Sequence, residues 1–248
     1  MASDFYDQPA LYDSLLPAIA HVPYYVDLAR RQAGEVLELA CGTGQLTVPV
    51  AGAGLPTVGL DLSAAMLKSA RERAAAATVS VEFVQGDMRE FHLGRRFALI
   101  FVARNSLLHL CSTEDILATF AAVRRHLAPN GIFAFDVFNP DVRILAMPTG
   151  QRFPVMKVET EAFGLLSVEG THDYDSATQV DHGTWYVSAP GKPDAWVFPV
   201  VVRSIFPQEL PLLLAAGGLH LASRFGDLSN KPFGSASRQQ VCLCQAAV

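Results

Sequence analysis

A short apolar run, Val36-Leu37-Glu38-Leu39, stops at Ala40-Cys41-Gly42-Thr43-Gly44 and gives way to a helical pattern, and a second apolar run ends in Val58-Gly59-Leu60-Asp61. Such a sequence reads as a buried strand, a tight turn and a helix N-terminus. Glycine has no Cβ and reaches positive φ without penalty, so Gly42 and Gly44 let a ligand approach the backbone. A helix beginning near Thr43 would point unpaired N–H groups at that ligand. Asp61 closes the next strand about twenty residues on, where a carboxylate in this topology accepts hydrogen bonds from ribose hydroxyls. Together the turn and the carboxylate predict a nucleoside site.

The dinucleotide fingerprint places a third glycine three residues after the second, for close helix–strand packing. Thr47 stands there instead. With Glu38 on the strand and Ala40-x-Gly42-x-Gly44 after it, the motif resembles the acidic-x-Gly-x-Gly-x-Gly loop of class I S-adenosylmethionine-dependent methyltransferases, with alanine at the first glycine position. The implied cofactor is S-adenosyl-L-methionine, with Glu38, Ala40, Cys41, Gly42, Gly44 and Asp61 around it. Further segments extend the resemblance. Phe5-Tyr6-Asp7 and Leu11-Tyr12-Asp13 precede the first strand and resemble lid helices in which a tyrosine leans over cofactor or acceptor, which assigns Tyr6 to the cofactor. Leu62 and Met66 open the helix that would lie along ribose and adenine, and Gln85-Gly86-Asp87-Met88 resembles the segment whose carboxylate accepts from the adenine amine. Ala103-Arg104-Asn105-Ser106-Leu107-Leu108-His109-Leu110 follows a strand and resembles the matching region of amino-sugar N-methyltransferases, where a histidine stands beside the acceptor. Ala103 is then a cofactor contact and Asn105 a substrate contact, while His109 and Tyr12 are the catalytic candidates.

The rest of the chain sets the frame. Its 248 residues carry 19 Lys+Arg against 24 Asp+Glu, a formal charge of −5, and half are hydrophobic. That describes a compact folded protein without the basic block that tracks a phosphate backbone, so nucleic acid is not expected as substrate. No charged-then-apolar leader and no bilayer-length apolar run is read, which predicts a soluble cytoplasmic protein without a membrane partner. Four scattered cysteines do not make a secreted disulfide framework. Cys242-Leu243-Cys244 is expected to alternate on a strand with its thiols on opposite faces, and no metal site is expected.

In chain order the pattern predicts helices over 44–54, from the N-cap Ser63 through Arg73, over 114–127 behind Ser112 or Thr113, and over 207–216. Strands are expected at 57–61, 79–84, 97–102, 132–137, 219–225 and 240–245. Strand and helix alternate, which implies parallel neighbours and right-handed crossovers. Residues 153–206 lose the helical period and give strand-like runs at 155–163, 165–174, 180–187 and 196–206, read as an inserted antiparallel sheet. The expected fold class is α/β: a three-layer Rossmann-like methyltransferase sheet, mostly parallel with an antiparallel C-terminal strand, plus that inserted sheet. The expected organisation is lid helices at 1–32, a cofactor-binding domain at 33–140 and 205–248, and an insert at 141–204 serving as substrate cover or dimerisation surface, with a homodimer as one outcome. Tyr174 and Arg203 are its candidate substrate contacts.

Functionally the chain reads as a methyltransferase acting on a small polar acceptor, an amine or a hydroxyl, by in-line displacement. An NAD(P)-dependent oxidoreductase and a non-catalytic binder of the same nucleoside stay open as alternatives. Thr47 and the lack of a Tyr-x-x-x-Lys pair count against the first.

Overall fold

The computed structural model describes residues 5–247. Helices α1 (Pro9–Leu15) and α2 (Val22–Gln32) lead into an alternating series of β1 (Val36–Leu39), α3 (Thr47–Gly52), β2 (Thr57–Asp61), α4 (Ala64–Ala76), β3 (Glu82–Gln85), β4 (Phe97–Val102), α5 (Thr113–His126) and β5 (Leu127–Phe138). After the short α6 (Val142–Leu145) come β6 (Phe153–Thr160), β7 (Gly164–Thr171), β8 (Tyr174–Asp175), β9 (Val180–Ala189) and β10 (Lys192–Arg203). The chain closes with α7 (Leu210–Ala216), β11 (Leu219–Phe225) and β12 (Gln239–Ala246).

The first sheet has the order β11-β12-β5-β4-β1-β2-β3, and β12 is its antiparallel strand. Its strands read as apolar runs because both faces are covered. On one side Leu37, Ile100, Val102, Phe133 and Phe135 pack with Phe120 of α5 and Leu214 of α7. On the other, Val36, Leu99, Phe101 and Ala134 pack with Tyr25 and Leu28 of α2 and Val50 of α3. β1 pairs with both β2 and β4, so the strand order reverses beside it. Crevices at such a switch point open at the carboxyl ends of the strands.

The second sheet, β10-β9-β7-β6 with β8 on β9, is antiparallel. Its inward residues Leu166, Val168, Val187 and Phe198 pack on Phe5, Leu11 and Leu15. It reaches the first sheet through α1, which lies between it and the glycine turn, and through β10, whose Val202 packs on the first sheet's core.

Four local expectations are corrected. Helix α3 starts at Thr47, not at 44, because Ala40, Gly42 and Gly44 all have left-handed φ (54°, 56° and 74°) and the chain turns right-handed only after them. Strand β3 starts at Glu82, since Thr78 (φ 55°) reverses the chain and the Val79 N–H caps α4 on the Ala74 carbonyl at 3.0 Å. Pro129-Asn130-Gly131 does not precede the fifth strand but lies within it, where the register to β4 slips. Cys242 and Cys244 share a face, as residues two apart on a strand must. Both sit in the core with Phe133 and Phe135, while Leu243 faces the opposite layer. Burial pushes the Cys242 thiol up to about 12 and Cys244 well above its ordinary value, so both are inert packing groups. The helix caps at Ser63 and Ser112 form as expected, accepting from Met66 and Asp115 N–H.

The N-terminal helix is fixed on the turn by one carboxylate. Asp13 accepts from the Thr43 hydroxyl (2.5 Å), from Gln45 Nε2 (2.7 Å) and from Arg73 (2.6 Å) of α4. Gln45 Oε1 in turn accepts from the Ala18 N–H at 2.6 Å. An Asp13→Ala variant is expected to lose about 2 kcal/mol in urea unfolding. Its amide exchange should accelerate across residues 9–32 while β4 and β5 keep their protection.

Candidate functional site

The bend after β1 is held by the end of β2. Asp61 accepts from the Gly42 N–H at 2.7 Å with one oxygen and from the Ser63 N–H at 2.8 Å with the other. Burial raises the pKa of this carboxyl, and the two backbone donors oppose that rise. A Cβ on Gly42 would meet nothing nearer than the Tyr12 ring at 3.9 Å, so this glycine faces open space under a tyrosine. A Cβ on Gly44 would lie 3.2 Å from Ala70, so its second constraint is close packing of α4. Cys41 contributes backbone, since its thiol packs against Gly59 of β2 and burial keeps it protonated.

The crevice at this bend is bordered by Tyr12, Glu38, Ala40, Cys41, Thr43, Ala103, Arg104 and Ser106. Glu38 is only 3% exposed and accepts from the Thr47 hydroxyl. Thr47 thus stands where a third glycine was sought because it satisfies a buried carboxyl. Burial dominates and lifts the Glu38 pKa to about 8, with the Thr47 hydrogen bond and the Arg104 charge pulling the other way. Tyr12 leans over Gly42 with the Arg104 guanidinium 5.4 Å from its ring centre, and burial raises the pKa of its phenol.

The end of β4 bends sharply. Arg104 and Asn105 both take left-handed φ, 59° and 65°, a conformation that costs side-chain-bearing residues on the order of 1–2 kcal/mol each. Asp136 of β5 compensates. Its carboxylate accepts the Arg104 N–H through both oxygens at 3.0 Å and the Tyr25 hydroxyl at 2.6 Å, and its carbonyl accepts the Asn105 N–H at 3.1 Å. His21 Nε2 stands 3.4 Å from the same carboxylate. Sequence reading missed Asp136 and Arg104. The available signal was a carboxylate inside the apolar run Ile132–Val137, which has to be paired to be buried.

Other predicted residues distribute unevenly. Ser63 Oγ donates to the Tyr6 carbonyl, which brings the N-terminal turn against the start of α4. The Tyr6 hydroxyl lies 2.7 Å from His109 Nε2, and His109 Nδ1 lies 3.2 Å from the Val201 carbonyl of β10. A carbonyl can only accept, so Nδ1 carries the proton and Nε2 accepts from Tyr6. Leu62 is 67% exposed beside the bend, whereas Met66 is packed at 1% and Met88 rests against the core. Asp87 is engaged by Arg89 through both oxygens, and that guanidinium lowers its pKa. Asn105 directs its side-chain oxygen to the Phe138 N–H rather than to the crevice. Two expected substrate contacts are not brought to the site. Arg203 is buried against Glu209 (2.5 Å) and Thr113 (3.0 Å), and Tyr174 lies on the short β8 with the Glu209 charge near it. A long cation on a strand end is as well suited to clamping α7 as to binding substrate, and nothing in the local sequence distinguishes the two.

Residues 36–131 match the family model described as a methyltransferase domain. The matched segment runs from β1 to the start of β5 and carries both bends that border the crevice. The chain is similar to a putative methyltransferase, YqeM, of Bacillus subtilis, 34% identical over 52% of this chain and 53% of the relative. It is also similar to a dTDP-3-amino-3,4,6-trideoxy-alpha-D-glucopyranose N,N-dimethyltransferase of Streptomyces venezuelae, 39% identical over 42% and 43%. The chain spans about half the length of the curated relatives it matches. Among solved structures, the CcbJ methyltransferase of Streptomyces caelestis superposes with a TM-score of 0.83 at 28% identity, covering 99% of both chains. No helix among the described residues is long and apolar enough to cross a membrane, and none of their side chains cluster as a metal site.

In this matched segment the space between Gly42 and Tyr12 lies beside the Asp61 carboxylate and the exposed Leu62. Glu38, Ala103 and Arg104 border the other side of the bend. Glu38 also gives this site a pH signature. The folded protein holds a proton that the unfolded chain releases above its ordinary value of 4.5, so this group lowers stability as pH rises from about 4.5 to about 8. Glu38→Gln removes that dependence. Urea titrations should show the variant gaining on the order of 4 kcal/mol relative to wild type between those two pH values, and a constant difference would contradict the assignment.

Proposed function

We propose that the protein transfers a methyl group from S-adenosylmethionine to an amine on a small polar acceptor. When bound, the cofactor supplies a methyl group activated by its sulfonium. The observation that carries the reading is the Tyr6–His109 hydrogen-bonded pair beside the bend, set against an aromatic wall. Phe5 packs on Tyr6, Tyr12, Trp185 and Phe198 at centroid distances of 5.8, 5.5, 5.9 and 5.0 Å. An amine attacks only as the free base, so a neutral imidazole with Nε2 reached through a phenol is suited to take the ammonium proton. Held this way, His109 stays in one tautomer because the Val201 carbonyl fixes its other nitrogen.

Alignment does most of the work in this reading. Holding donor and acceptor as near-attack neighbours contributes on the order of 7–11 kcal/mol. The rings of Phe5 and Phe198 are buried behind Tyr6 and Tyr12, and α1 packs under the second sheet. Two relatives are named for 3-amino sugars linked to dTDP, and that chemistry supports a nucleotide-linked amino sugar as the acceptor class. Such donors and acceptors meet in the cytoplasm, which is where we place the reaction.

The test is incubation with methyl-labelled cofactor and a panel of nucleotide-linked amino sugars, their hydroxyl counterparts and short peptides, read by mass spectrometry. Methyl gain on nitrogen of an amino sugar is the expected outcome. Label appearing on the hydroxyl compounds or peptides alone would overturn the acceptor class. His109→Gln and Tyr6→Phe are each expected to lower kcat by roughly 10²-fold at neutral pH, with the loss shrinking as pH rises and more free amine is present. Equal turnover in both variants would leave a site that acts by alignment only.

A further inference from the structure

The crevice has two electrical poles. Glu38 is the one acid and Arg104 the one cation among the residues that border it. Arg104 is carried into this position by the strained bend after β4, with its backbone N–H tied to Asp136 and one guanidinium nitrogen donating to the Leu16 carbonyl of the segment after α1. The guanidinium has five N–H donors in a fixed fork. Among the described residues it enters no ion pair with a carboxylate, whereas Arg73 of α4 pairs with Asp13. Its acidic neighbour on the crevice wall, Glu38, is engaged by the Thr47 hydroxyl, and the Asp136 carboxylate is engaged by the Arg104 backbone N–H, so neither pairs with the guanidinium. An uncompensated, partly buried cation on the wall of a crevice calls for an anion from the ligand.

The adenosyl end of the cofactor is directed to Asp61 and Leu62, on the far side of Gly42. Its remaining end is an amino acid, with one positive and one negative group. We propose that Arg104 binds the α-carboxylate of this end through its planar fork. The ammonium then faces the Ala103 and Glu38 side of the crevice. The inference rests on the cofactor reading above, and it adds the residue that distinguishes the whole cofactor from its nucleoside fragment. Tyr12 stacks on the same guanidinium, so lid position and carboxylate recognition meet on one side chain.

Calorimetric binding of two ligands tests it: S-adenosylhomocysteine, and 5′-methylthioadenosine, which keeps the nucleoside and sulfur but lacks the amino-acid end. Arg104→Met, which keeps most of the apolar stem, is expected to weaken S-adenosylhomocysteine by about 10- to 100-fold and methylthioadenosine by less than roughly threefold. Arg104→Lys should recover part of the loss. On the unaltered protein, converting the ligand carboxylate to its amide should cost a similar factor, which keeps the test independent of how the variants fold. Equal weakening of both ligands, or an amide that binds as well as the acid, would overturn the proposal while leaving the cofactor reading intact. A wild-type protein that binds neither nucleoside would remove both.

Discussion

The carboxylate of Asp61 is the interaction on which the site is built. It ends the second strand, yet its two oxygens hold the backbone of the bend after the first strand and of the turn into α4. Charge-assisted hydrogen bonds of this kind contribute about 1.5–3 kcal/mol each. They add to the Cys41 N–H on the Leu60 carbonyl and Arg73 on the Thr43 carbonyl in fixing the run of left-handed residues at 40, 42 and 44, whose Gly44 N–H is satisfied locally by the Cys41 carbonyl. The bend then sets where Thr43 and Gln45 stand, those two residues catch Asp13, and Asp13 seats the N-terminal helix over Gly42.

A second carboxylate repeats the logic one strand away. Asp136 stabilises a bend of two left-handed residues after β4, and through that bend it aims Arg104 under Tyr12. The two bends lie at the ends of paired central strands, so the crevice between them is rigid on its floor. Its roof is different in kind. Rings from the N-terminal segment, β9 and β10 pack together above it, and they are joined to the floor by polar contacts at Asp13, Ser63 and His109 and by Val202 of β10 on the first sheet's core.

The sequence disclosed the strands and turns under the crevice well. An apolar run, two glycines and a carboxylate at the end of the next strand are local signals, and parallel pairing with a switch point beside β1 follows from alternation alone. Caps at Ser63 and Ser112 are equally local. What was not legible depends on distant partners. Asp136 looked like one polar residue in a strand, and its role exists only because Arg104, Tyr25 and His21 converge on it. Arg203 looked like a substrate contact until Glu209 and Thr113 enclosed it. Val79 belonged by composition to a strand, but a left-handed Thr78 used it to finish a helix. The thiols at 242 and 244 were misplaced for a simpler reason, since the period of a strand puts them on one face.

Equilibrium dialysis of the protein against labelled S-adenosylmethionine and, in parallel, labelled NAD⁺ tests the account most directly, with Asp61→Ala as the comparison. The account predicts that the wild type retains S-adenosylmethionine, does not retain NAD⁺, and that the variant loses the first. Retention of NAD⁺ in its place, or of S-adenosylmethionine undiminished in the variant, would contradict it.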